Sequence, residues 1–324
     1  MDELWTNLGP EVINISYTGS RSIIHRVIQI DFSSISAFLT GFSTYPQPLR
    51  LRLRIFTIFF LYKQTHQAVR KGELSTIMKL VFDKADLVKS VGIAMKAVSG
   101  KTTMPILECI LIDASSNVIK FTSNDMELGI ETIVTGMILE RGIVALDAKI
   151  FSEIVRKLPD NQVTIETDEN LVTTITCEKA KFNIPGQSGE DFSYLPILET
   201  SDCVSISQFT LKEVIRQTIF SIADNDNNKL MTGELFEIEE NDLKVVSLDG
   251  HRISIRNIEL KNNYSHKKVV VPGKTLQEVC KILPGSAEDE VSIFLTDNHI
   301  VFEFENTTVV SRLIEGEYFK IEQM

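Results

Sequence analysis

Beyond residue 77 the chain is written in short runs of alternating apolar residues, interrupted by stripes of helical period. "LVKSVGIAMKAV" starts at Leu87 and "LKEVIRQTIFSI" at Leu211, so that Leu87, Val91, Met95 and Val98 match Leu211, Ile215, Ile219 and Ile222 at an offset of 124. Apolar residues three and four apart form one buried helical face, and here the same face is written twice. The offset holds without a gap through "LECILIDASSNVIKFTSND" (Leu107–Asp125) and "MTGELFEIEENDLKVVSLD" (Met231–Asp249). Both read as strand, turn, strand, with turns at Ser115–Asn117 and Glu239–Asp242. After a slip of one residue, "ALDAKIFSEIVRKLP" (Ala145–Pro159) matches "VVPGKTLQEVCKILP" (Val270–Pro284), each a strand end, a short helix and a Leu-Pro stop. Two more alternating strands follow in each copy, "VTIET…LVTTIT" and "VSIFL…HIVFEF". Each copy closes on an apolar-acidic corner, "EDFSYL" or "GEYFKI".

The pattern predicts two α+β units of roughly 120 residues, each with two helices packed on antiparallel sheet. The predicted helices span Lys84–Lys101, Asp147–Leu158, Leu211–Ala223 and Gly273–Leu283, and Val91, Met95, Ile215 and Ile219 are expected to be mostly buried.

The first 77 residues read differently. Arginine outnumbers lysine six to two there and lysine outnumbers arginine nineteen to six afterwards; five acids precede Met78 and 39 follow. "LRLRLRIF" (Leu49–Phe56) alternates like an edge strand, but little around it makes a partner. Codons for Lys71-Gly72-Glu73 can spell a purine-rich ribosome-binding sequence ahead of Met78. Residues 1–77 are therefore expected to be an atypical leader outside the fold, with translation starting at Met78. The rival reading is a genuine extension with little structure.

A net charge of −11 argues against a protein that coats nucleic acid indiscriminately, yet leaves room for a local basic surface. The predicted helices carry eleven Lys and Arg against five acids, inside a Met78–Met324 region of net −14. Basic side chains gathered on a repeated array of helices suit a phosphate-facing surface without base readout, although lysine is also the ordinary choice on a solvated helix face. The cysteines, Cys109, Cys177, Cys203 and Cys280, form no C-x-x-C pair, so neither a zinc site nor a disulfide framework is signalled, in keeping with a reducing cytoplasm. No cofactor motif is present. The longest dense apolar run, "IFTIFFLY" (Ile55–Tyr62), is too short to span a bilayer.

"MKLVFDKADLVKSV", "KTTMPILECILI", "VALDAKIFSEIVRKLP", "LKEVIRQTIFSIADNDNNKLMTGELFEI", "SLDGHRIS" and "SRLIEGEYFKI" together resemble the bacterial DNA polymerase III beta subunit family, the sliding clamps, in order from Met78 to Met324. The resemblance implies a DNA-clamp fold, with domain 1 over 78–203, domain 2 over 204–324 and the family's third domain absent. It implies a non-catalytic processivity factor of a DNA polymerase holoenzyme. Such a factor is a ring-shaped homodimer around duplex DNA that holds polymerase, clamp loader and repair proteins through short peptide motifs. For a chain without the third domain, a monomer or an open, irregular oligomer is expected. By resemblance Met231, Leu248, Gly250, His251, Arg252 and Ile253 form one wall of the peptide groove. Lys89, Lys96, Lys101, Lys149, Arg216, Asn225 and Lys229 are the expected DNA contacts, taken from the helices and from the loops the family turns to DNA.

"SLDGHRIS" also places a carboxylate, an imidazole and a guanidinium within four residues. The repeat weighs against catalysis: Asp249 matches Asp125, but Gly250-His251-Arg252 match Met126-Glu127-Leu128, and Asp-Gly is a strong turn former. The alternatives to a clamp are a metal-dependent phosphoryl-transfer enzyme using Asp125, Asp249 and His251, or a clamp fragment without function. A two-metal site would need several carboxylates at one spot.

Overall fold

The computed structural model describes residues 77–100, 102–196, 203–223 and 228–321. The expected leader, apart from Ile77, and the strand read at Leu49–Phe56 lie outside these residues, as do Lys101 and Asn225.

The first half runs β1 (Met78–Asp83), α1 (Lys84–Ala94), β2 (Cys109–Asp113), β3 (Ile119–Asn124), β4 (Leu128–Val134), β5 (Met137–Glu140), β6 (Ile143–Asp147), α2 (Ala148–Lys157), β7 (Gln162–Thr167), β8 (Val172–Cys177) and β9 (Ala180–Ser188). The second runs β10 (Cys203–Ser207), α3 (Gln208–Thr218), β11 (Gly233–Leu248), β12 (Ile253–Pro272), α4 (Gly273–Ile282), β13 (Glu290–Leu295), β14 (His299–Phe304) and β15 (Thr307–Arg312). All pairings are antiparallel.

The strand register repeats with the sequence. Ile110 pairs with Leu146, and the matching Glu234 pairs with Val271; Thr122 pairs with Glu131, and the matching Val246 pairs with Ile255. The expected turn at Glu239–Asp242 falls inside β11, where the register against β12 breaks on either side of Glu240, whose φ is 52°. Leu235 and Val246 still meet in one apolar cluster, so the segment doubles back there. A buried hydrogen bond is duplicated as well: Ser123 Oγ donates to Ala94 O at 2.5 Å and Ser247 Oγ to Thr218 O at 2.6 Å, each tying a helix end to the sheet.

The helices are capped where the sequence supplies short polar side chains. Asp83 accepts Ala85 N, Asp147 accepts Ile150 N and Ser207 accepts Thr210 N. The α-helices α1 and α3 stop earlier than the apolar stripe suggests, at Ala94 and Thr218, and tighten into 3-10 turns over Met95–Ala97 and Ile219–Ser221. A 3-10 turn rotates the side chains out of the α stripe. Val91 and Ile215 are accordingly buried, while Met95 and Ile219 are only half-buried.

Each half has its own core. Leu87, Val91, Phe82, Phe121 and Phe151 anchor the first, and Leu211, Ile215, Phe236, Leu276 and Phe302 the second. The halves are also joined in one sheet, because β15 pairs with β4 from Thr307↔Thr132 to Ser311↔Leu128. Leu128 and Ile130 of β4 belong to the second half's core. Thr132 and Thr307 share a hydroxyl hydrogen bond at 3.0 Å, and Lys274 at the start of α4 reaches Asp125 at 2.5 Å.

Candidate functional site

The end of β11 and the turn that follows it form the most distinctive surface of the second half. Leu235, Val246, Leu248, Val270 and Tyr318 are buried together, and Leu230, Met231, Ile314, Phe319 and Ile321 pack around them half-exposed. Met231 arrives on a 3-10 turn, Lys229–Thr232, capped by Asn228, whose Oδ1 accepts Leu230 N at 3.1 Å. Tyr318 comes from the segment after β15; its hydroxyl lies 3.4 Å from Val246 O, and its ring meets Phe319 edge-on at 5.4 Å. Burial, with the nearby Glu234 carboxyl, pushes the Tyr318 phenol well above its ordinary range. A cleft of about 390 Å³ at one side of this cluster is lined by Leu235, Val270, Ile314, Gly316 and Tyr318 among others, but not by Met231, Leu248 or His251.

The Asp-Gly-His-Arg segment is the hairpin between β11 and β12. Asp249 Oδ1 accepts His251 N at 3.0 Å and Arg252 N at 3.1 Å, Oδ2 accepts Arg252 Nε at 2.8 Å, and Gly250 takes φ 86°. These donors, the His251 amide first, hold the Asp249 carboxyl below its ordinary range. His251 and Arg252 are exposed, as is Ile253. The first half builds the same turn with Met126 at φ 75°. There Asp125 Oδ1 accepts Glu127 N and Leu128 N, and Oδ2 takes Lys274. Each aspartate thus caps its own hairpin, and among the described residues no three His, Cys, Asp or Glu side chains gather to hold a metal. The geometry assigns Asp125, Asp249 and His251 to turns and not to a shared centre.

Of the predicted groove residues, Met231 and Leu248 meet in one apolar cluster, with the exposed hairpin Gly250–Ile253 following directly on Leu248. Leu230, Tyr318, Phe319 and Ile321 belong to the same cluster and were missed. The repeat held the signal. Ile106, Leu107, Leu111, Ala145 and Phe192 make the corresponding cluster of the first half, around the "EDFSYL" corner that matches "GEYFKI".

The predicted DNA-facing side chains are spread along the helices and mostly paired. Lys89 meets Glu305 at 3.3 Å, Lys96 meets Glu278 at 4.0 Å and Arg216 meets Glu213 at 2.6 Å, while Lys149 and Lys229 are exposed. Exposed pairs of this kind are worth little, so these side chains can exchange their partners for phosphate at small cost. No helix among the described residues is long and apolar enough to cross a membrane.

Comparison with known proteins resolves the family. The N-terminal domain of the DNA polymerase III beta subunit matches residues 78–196, and its central domain matches residues 205–320. The chain belongs to the DNA polymerase III beta subunit family. It is 34% identical over 252 residues to the Beta sliding clamp of Halalkalibacterium halodurans and 35% identical over 251 residues to that of Bacillus subtilis, in each case across 74% of this chain and 66% of the relative. The chain thus spans 66% of the length of these clamps. A crystal structure from Eubacterium rectale named for the DNA polymerase III beta subunit is 75% identical, with a TM-score of 0.75 over 76% of this chain and 68% of that one. The crystal structure of the Bacillus subtilis sliding clamp is 34% identical, with a TM-score of 0.73 over 76% and 67%. The fold is the DNA-clamp fold.

Proposed function

We propose that the chain acts as a sliding clamp, a non-catalytic processivity factor of a DNA polymerase III holoenzyme in the cytoplasm. What supports this most is the joining of two matching clamp units edge to edge in one sheet, with membership of the family. Residues 78–203 and 204–324 are the proposed clamp domains 1 and 2. Lys89, Lys96, Lys101, Arg216, Asn225 and Lys229 are the proposed contacts to duplex DNA, with Lys149 on the same basic helices. The basic side chains among them act on phosphate through charge, so binding is weak, salt-sensitive and indifferent to sequence.

Met231, Leu248 and Ile253 are proposed to take the apolar anchors of a short peptide from polymerase, clamp loader or repair proteins. Gly250, His251 and Arg252 then border its backbone and acids, and Tyr318, Phe319 and Ile321 extend the wall. In the family the ring is a homodimer.

The test is fluorescence polarisation with a labelled clamp-binding peptide and, separately, with duplex DNA over a salt series. Peptide binding that Met231→Ala weakens, with DNA affinity that falls as salt rises, is the expected result. A chain that binds neither would overturn the reading and leave the fragment without function in its place.

A further inference from the structure

Under the end of α3 the second half is polar where the first half is apolar. Thr218, Ser221, Glu234 and Ser254 stand at the positions of Ala94, Ala97, Ile110 and Ile130, all four of which are buried. Only the serine of the helix-end tie is common to both copies, Ser123 in the first and Ser247 in the second. Thr218, Ser221, Glu234 and Ser247 are fully enclosed, so the second half buries a carboxyl and three hydroxyls at one helix end.

The hydroxyls are all committed. Thr218 Oγ1 donates to Val214 O at 2.9 Å, Ser247 Oγ donates to Thr218 O at 2.6 Å, and Ser221 Oγ and Ser254 Oγ share a hydrogen bond at 2.6 Å. The last two tie the end of α3 and the 3-10 turn after it to β11 and β12. Glu234 lies beside the Thr218 hydroxyl, yet among the described residues neither of its carboxyl oxygens has a partner. A buried carboxyl without donors is held neutral by its surroundings.

The cations of the neighbouring elements are engaged elsewhere. Lys212 of α3 reaches Leu283 O, Arg216 of α3 reaches Glu213, Lys268 of β12 reaches Glu237 and Lys274 of α4 reaches Asp125, while Lys229 is exposed. The Tyr318 phenol, pushed well above its ordinary range by burial and by Glu234, stays neutral.

We propose that Glu234 is a proton-operated latch for the end of α3. In the neutral form the carboxyl is enclosed and the hydroxyl ties hold. Once its proton has gone to water, the carboxylate draws the Thr218 hydroxyl and entering water to itself, and the last turn of α3 comes away from the sheet together with the segment after it. The Ala223 amide donates to Met231 O at 2.8 Å, so the turn Lys229–Thr232 is released with them. Arg216 and Met231 ride on these two segments, and one proton thereby links the surfaces proposed above for DNA and for peptide. The latch itself rests on the buried carboxyl and the bonds around it, and on neither of those binding readings.

Burial raises the Glu234 carboxyl from 4.5 to about 8. The closed form therefore holds a proton that the open form releases. Closure is complete below about pH 4.5, and opening grows as pH rises to about 8 and levels off above it. The first half has no titratable side chain at the corresponding positions, so it is a control within the same molecule.

Hydrogen exchange of the full chain, read by mass spectrometry at pH 5 and pH 8.5 and corrected for the intrinsic effect of pH, tests this. Residues 211–223 and 229–236 should lose protection at least about tenfold between the two conditions. Residues 87–99 and 105–112, their first-half counterparts, should keep theirs. Glu234→Gln, neutral throughout, and Glu234→Ile, which places the first half's residue there, should hold all four segments level. Second-half segments that keep their protection at the higher pH, a loss shared equally by both halves, or variants that lose as much as the parent chain would each overturn the proposal.

Discussion

Replacing Glu234 with isoleucine should stabilise the chain, and more so near pH 8.5 than near pH 5. Glu234 is fully buried on β11, at the position where the first half has the equally buried Ile110. Neither carboxyl oxygen has a hydrogen-bond partner. The Thr218 hydroxyl, close enough to favour the charged form, gives its proton to Val214 O at 2.9 Å. Burial pushes the carboxyl from 4.5 up to about 8. The folded chain therefore holds a proton that the unfolded chain releases across this interval. The stability of the neutral form is complete below about pH 4.5 and is lost as pH rises through about 8. At ~1.4 kcal/mol per pH unit the interval sets a ceiling of about 5 kcal/mol. Relaxation around the charge and entry of water bring the expected gain to about 2 kcal/mol at the higher pH, roughly 4–8 °C in Tm for a chain of this size. Glu234→Gln, neutral at every pH, should flatten the pH profile as well. Thermal melts of the three proteins at both pH values are the assay. An isoleucine variant whose advantage is the same at both would show that the carboxylate is ionised and solvated in the folded chain.

Ser123→Ala and Ser247→Ala each leave a helix-end carbonyl without its donor, so each should cost about 1–2 kcal/mol in urea unfolding, and the two should add in the double variant. Exposed Cys203 should react with a thiol reagent in the native chain; buried Cys109, whose thiol burial pushes up to about 11, should react only on unfolding. Lys89→Ala with Arg216→Ala should flatten the salt slope of DNA binding by about 0.9 for each phosphate no longer neutralised, read from titrations at several salt concentrations. Leu248→Ala should reduce peptide affinity at least about tenfold and also lower Tm, since the side chain is core as well as part of the proposed groove; Met231→Ala, half-exposed, should affect the peptide alone.

The duplication was legible because both periods it uses are local. A helical stripe such as Leu87–Val91 against Leu211–Ile215 needs only neighbours in sequence, and so does strand alternation. The end of that stripe was not legible, since whether Met95 continues an α-turn or tightens into a 3-10 turn is settled by packing beneath it. Pairing of β15 with β4 lies further out of reach. Each reads as a strand, but the choice of partner brings together residues more than 170 positions apart. The contribution of Tyr318–Ile321 to the apolar cluster around Leu248 was missed for the same reason, although its first-half counterpart at Phe192 marked it. Glu234 was the reverse case. A carboxylate against Ile110, inside an alternating apolar run, was visible in the alignment of the two copies; its depth of burial needed the fold.

The seam between β4 and β15 has a mechanical consequence. Strands that share a ladder can twist a little against each other, but they cannot swing open without parting their backbone bonds, and Leu128 and Ile130 pin this ladder into the next core. The connection behaves as a splint and not as a hinge. Bending that separates the halves would expose apolar core at once, so the stiffness of the chain is set by the same residues that keep it folded.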